Sequence, residues 1–150
     1  MIKDKPRDPV SANVAVQFWS QLHAYANPRK QGWVLSNGGT QFEDGDMRAA
    51  DVTYVSRERL PTLPRGFGRV VPELIAEIRS SRQTIRAVRN QIVSLLDKGI
   101  SVGIYVDPRK HRVEIHRRDA KPVVLGDDDM FEVPDVLPGF SFAVRELWPE

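Results

Sequence analysis

Two short segments hold the residues best suited to chemistry. They are Arg48-Ala-Ala-Asp-Val-Thr-Tyr-Val55 and Pro72-Glu-Leu-Ile-Ala-Glu-Ile-Arg-Ser80. Asp51 opens the first strand-like run, and Glu77 lies well inside the second. A carboxylate in an otherwise apolar strand is costly unless something pairs with it. Two of them, followed by a helix and another strand, suggest a metal site built on a sheet, as phosphodiester cleavage requires. A hard divalent cation such as Mg²⁺ takes oxygen ligands and keeps several waters. Two carboxylates and a backbone carbonyl can hold it while phosphate oxygens complete its shell. Such an ion acidifies a water and stabilises charge on the phosphoryl group. A nearby Lys or Gln can orient the attacking water. Each acid also has a plainer reading, Asp51 paired with Arg48 and Glu77 with Arg79 on its own strand face.

The elements that must position these residues follow from pattern. Residues 1–10 read as a flexible arm, because Pro6 and Pro9 oppose early regular structure. Residues 11–150 read as one domain. Ser11 is a candidate N-cap, with Val14, Phe18, Leu22 and Tyr25 at helical spacing, and Asn27-Pro28 ends that helix. Gly32–Leu35 reads as a short strand, with turns at Asn37–Gly39 and Glu43–Asp46. The strand Ala50–Val55 comes next, and a Pro- and Arg-rich connection runs from Ser56 to Val71. In Leu74–Arg79, Glu73, Ile75, Glu77 and Arg79 share one face, and Leu74, Ala76 and Ile78 share the other. Both faces carry apolar residues, so this strand is central. Gln83–Lys98 carries the apolar stripe Ile85, Val88, Ile92, Leu95 and Leu96, and Gly99 terminates it. Val102–Val106, Arg112–His116 and Lys121–Leu125 form an antiparallel meander, with Asp107-Pro-Arg-Lys110 as its first turn. Phe142–Leu147 ends the chain as a short strand or helix. The class is α/β in the mixed α+β sense, a central mixed sheet flanked by helices with a C-terminal antiparallel meander.

Composition sets the bounds. The chain has 150 residues, no cysteine and a formal net charge of +2. That length can bury a core without disulfides, and the lack of cysteine excludes thiolate sites and cysteine nucleophiles. The first residues have no apolar signal core, and no run can span a membrane, so the expected setting is cytoplasmic. Eight arginines, from Arg57 to Arg89, fall between the first carboxylate and the middle of the following helix. They read either as a solvated surface or as a basic rim for a phosphate backbone. His23, His111 and His116 lack metal-ligand spacing.

Taken in order, these pieces resemble the Uma-two type putative restriction endonuclease family, a bacterial branch of the PD-(D/E)XK nuclease superfamily. Arg48–Ser56 matches its R-x-P-D-V-x-x-V-S strand, and Pro72–Ser80 matches its P-D-L-x-x-E-V-x-S-P strand. Asp97-Lys-Gly-Ile100 with Tyr105-Val-Asp-Pro108, and then Val136-Leu-Pro-Gly-Phe140, match two later segments. The resemblance implies a restriction-endonuclease-like fold, DNA as partner and Mg²⁺ (or Mn²⁺) as cofactor. It implies Asp51 and Glu77 as metal ligands, with the Ile78 carbonyl as a third. It also implies a homodimer, so that two sites reach two strands.

The family's active-site lysine usually lies on the following helix, and that position falls on Gln91. Gln can orient a water but supplies no charge. Other departures are Ala50 for the proline before Asp51, Ser81 for a proline, and the absence of any acid between Asp8 and Glu43. The expected function is metal-dependent hydrolysis of DNA phosphodiester bonds. Asp51, Glu77 and Gln91 would be its catalytic residues, and Arg79, Arg82, Arg86 and Arg89 its phosphate contacts. The alternative is a catalytically decayed nuclease-fold module for DNA binding or protein interaction.

Overall fold

The structure is a computed structural model and describes residues 7–149. Residues 1–6 of the expected arm lie outside them. The first helix, α1 (Pro9–Ala26), begins earlier than the sequence pattern suggests. Asp8 is its N-cap, accepting from the Ser11 N–H at 3.0 Å, and the Ser11 hydroxyl donates back to Asp8. Pro9 does not oppose this helix. It sits in the first turn, where its missing N–H is no loss and its φ is already helical. Arg7 and Asp8 are therefore an ordered helix entry. Val14, Phe18, Leu22 and Ala26 form the buried stripe.

The chain continues through β1 (Gly32–Ser36) and a small hairpin of β2 (Gly39–Gln41) and β3 (Met47–Ala49). Then come β4 (Val52–Ser56), β5 (Leu74–Ile78), α2 (Ile85–Asp97) and β6 (Val102–Asp107). After them follow β7 (Arg112–His116), β8 (Val123–Leu125), β9 (Met130–Glu132) and β10 (Ser141–Ala143). A 3₁₀ turn, Val144–Leu147, closes the order. The end of the chain thus uses both of the forms expected of it, a strand and then a helical turn.

Six strands make the main sheet, in the order β1-β4-β5-β6-β7-β8. Only β5 and β6 are parallel, and α2 connects them. β5 is central, as its two apolar faces require. Leu74, Ala76 and Ile78 join a core with α1 and with Phe131, Phe140 and Phe142 from the C-terminal region. Ile75 joins a second, smaller core beneath α2, with Val88, Ile92, Leu95, Leu96 and Tyr105. Each such buried aliphatic side chain contributes about 1.5–3 kcal/mol.

α2 matches its pattern closely. Thr84 caps it by accepting from the Ala87 N–H at 3.1 Å, and Gly99 follows its end with φ +108°. Gly103 lets the helix sit close to β6. A Cβ there would lie 2.5 Å from Ile92 Cγ2. No helix among the described residues is long and apolar enough to cross a membrane.

Candidate functional site

The site forms where the β4–β5 ladder stops. Val52 opposite Ala76 is the last pair of the antiparallel register. One step further, side chains replace backbone partners. The Asp51 N–H donates to Glu77 Oε1 at 3.0 Å, and the Ile78 N–H donates to Asp51 Oδ2 at 2.8 Å. The two strands thus exchange carboxylates instead of carbonyls. The end of the ladder thus links Asp51 to both Glu77 and Ile78, each through a backbone N–H.

Neither plainer pairing occurs. Arg48 bonds Asp46 at 2.9 Å and the Ser94 hydroxyl of α2, not Asp51. Arg79 turns away from Glu77 and pairs with Asp107 at 3.1 Å. The partner of Asp51 is Arg7, which sequence reasoning missed. Its guanidinium lies 2.5 Å from Asp51 Oδ2 and donates to the Ile78 carbonyl at 3.0 Å. A cation therefore already bridges two of the three donors. Asp8-Pro9 is a helix-start signal that would have ordered this segment, but nothing in the sequence points Arg7 at a residue 44 positions away.

Electrostatics follow from this crowding. Burial, and then the neighbouring Asp51 carboxylate, push Glu77 up to about 7. The Asp51 N–H and the positive charges of Arg7 and Arg48 oppose that rise without cancelling it. A divalent ion beside both carboxylates would oppose that rise by adding positive charge. The donor set suits a hard cation, being entirely oxygen. Among the described residues, no cluster of three or more His, Asp or Glu side chains could hold a metal.

Gln91 is exposed on α2 and shares a cleft of about 470 Å³ with Glu77, Arg48, Asn90 and Ser94. Asp51 lines a second cleft with Arg7, Val16 and Trp19. The four arginines separate into two pairs. Arg82 and Arg86 are exposed and make no ion pair among the described residues. Arg79 is buried, and it donates to both oxygens of Asp107 and to the Gln83 carbonyl. Tyr105 completes that network by donating to Asp107 at 2.7 Å. Arg89 pairs with the buried Glu114, which also bonds His116 at 2.9 Å. The expectation that Arg79 faces phosphate is thus corrected, since it is buried on Asp107, whereas Arg89 is held by Glu114 and stays partly exposed. The Arg79 pairing follows from strand register, which the sequence alone does not show. The parallel β5–β6 register sets Ile78 beside Val106, and its next step sets Arg79 beside Asp107.

A mixed sheet with two helices, and paired carboxylates at the end of a strand ladder, define a nuclease-fold domain. The chain belongs to the Uma2 family, described as "Putative restriction endonuclease", whose family model matches residues 1–145. It is similar in structure to a "putative nuclease belonging to DUF820" from Anabaena variabilis. The TM-score is 0.83 at 18% identity, covering 98% of this chain and 84% of that one. A second solved structure, a DrdV–DNA complex, aligns with a TM-score of 0.42 and 11% identity, over 91% of this chain and 14% of the other. No curated protein matches the chain.

Proposed function

We propose that this chain is a divalent-cation-dependent endonuclease that hydrolyses DNA phosphodiester bonds. Asp51, Glu77 and the Ile78 carbonyl would hold Mg²⁺ or Mn²⁺, which supplies charge stabilisation to the phosphoryl group and a more acidic attacking water. The Gln91 amide would orient that water from the rim of the cleft it shares with Glu77. Arg82 and Arg86 would hold flanking phosphates, while Arg79 and Arg89 fix the scaffold. Cutting both strands takes two sites, hence two copies or two successive nicks. The observation that supports this reading is the end of the β4–β5 ladder, where Asp51 and Glu77 are linked through the Asp51 N–H and a guanidinium bridges Asp51 and the Ile78 carbonyl. Membership of a restriction endonuclease family supports it.

Gln91 favours a second reading, a nuclease-fold DNA-binding module without catalysis, because Gln carries no charge. Nicking of supercoiled plasmid with Mg²⁺ or Mn²⁺ separates the two. Cleavage by the wild type that Glu77→Ala abolishes supports the enzyme. DNA binding without cleavage, with activity gained in Gln91→Lys, supports the module. Absence of salt-sensitive DNA binding refutes both.

A further inference from the structure

The Arg7 guanidinium occupies a seat that the proposed cation also needs. We propose that Arg7 is a built-in competitor for the divalent ion, and that it must leave Asp51 and Ile78 before an ion can use both oxygens. The inference rests on the reading of Asp51, Glu77 and Ile78 as a cation site.

Three observations support it. First, the contacts coincide. One guanidinium nitrogen lies 2.5 Å from Asp51 Oδ2, and another lies 3.0 Å from the Ile78 carbonyl oxygen. Mg²⁺ approaches its oxygens to about 2.0–2.1 Å in near-octahedral geometry, so the two cannot share that space. Second, Asp51 Oδ2 is already committed on its other side. It accepts the Ile78 N–H at 2.8 Å, a bond fixed by the strand backbone. The exchangeable partner is the arginine. Third, Arg7 is placed there by structure. The next residue, Asp8, caps α1 through the Ser11 N–H and also accepts from the Ser81 N–H just beyond β5, both at 3.0 Å. That clamp joins the helix start to the strand bearing Glu77 and fixes the backbone from which the arginine reaches.

Competition of this kind lowers apparent cation affinity by the fraction of molecules in which the seat is open. It is also reciprocal, so a bound ion releases Arg7 from the sheet. The freed guanidinium stays beside the site, always charged and suited to bidentate contact with phosphate.

The test is calorimetric titration of the full chain with Mn²⁺ alone, without DNA. The wild type is compared with Arg7→Gln and with Asp51→Asn, and unchanged thermal unfolding of Arg7→Gln confirms that the Asp8 clamp is intact. Arg7→Gln is expected to bind Mn²⁺ about tenfold more tightly, about 1.4 kcal/mol. Asp51→Asn is expected to abolish binding. Equal or weaker affinity in Arg7→Gln overturns the competition, and loss of binding in Asp51→Asn still upholds the cation site. No binding in either the wild type or Arg7→Gln sinks both. As a second readout, the Arg7 Nε–H resonance should move on Mg²⁺ titration. A resonance unmoved at saturating ion also overturns the proposal.

Discussion

Glu77 should make the folded protein less stable at neutral pH than its amide counterpart. The substitution is Glu77→Gln. Its oxygen still accepts from the Asp51 N–H, and its amide nitrogen can donate toward the Asp51 carboxylate, where the wild type sets two negative charges side by side. In the fold Glu77 rises from 4.5 to about 7, through burial first and the Asp51 charge second. Each tenfold change in proton affinity is about 1.4 kcal/mol, so ionisation costs the native state about 3 kcal/mol. Glu77 opens partly onto its cleft, and water screening reduces this to about 1–2 kcal/mol. The sign follows from linkage. The native state holds the proton more tightly than the unfolded chain, so stability is full below about 4.5 and is lost as pH rises through about 7. Urea denaturation with a chelator present, at pH 5 and pH 8, measures this. Glu77→Gln should equal the wild type at pH 5 and exceed it by about 1–2 kcal/mol at pH 8. Equal stability at pH 8, or the same gain at both pH values, would refute the account of Glu77 as a buried acid crowded by the Asp51 carboxylate.

The remaining expectations concern the scaffold and the rim. Arg79→Ala leaves Asp107 buried and unpaired, so it should destabilise by about 3–5 kcal/mol, and Arg79→Lys should not restore the bidentate contact; denaturation midpoints decide both. Gly103→Ala pushes Ile92 off β6 and should cost about 1–3 kcal/mol, seen as a lowered thermal midpoint. Arg82→Ala with Arg86→Ala should leave folding unchanged and reduce the salt dependence of DNA binding by about two phosphate contacts; an unchanged slope would remove these residues from the interface.

The sequence made the two carboxylate strands and α2 legible because each has strong periodicity and a clear end. Alternation placed Glu77 on one strand face with Ile75, and the structure turns that face toward α2. Long-range partners were not legible. Arg7 meets Asp51 across 44 residues, and Arg79 meets Asp107 across 28, pairings that depend on sheet register and helix docking. Pro9 misled for a different reason. Proline opposes a helix interior but favours its first turn, and the preceding Asp8, a helix-start residue, was the signal for the second case.

The two sheet faces carry unequal loads. The large aromatic and aliphatic core lies on the α1 face, whereas Gln91 stands exposed on α2 above the smaller one. Exposed positions on that helix, Arg86, Asn90 and Gln91, can be exchanged with little effect on folding. Side chains on this face can therefore change while the fold persists. The opposite face has no such freedom, because any change in Phe18, Phe131 or Phe142 disturbs the tightly packed rings that hold the domain together.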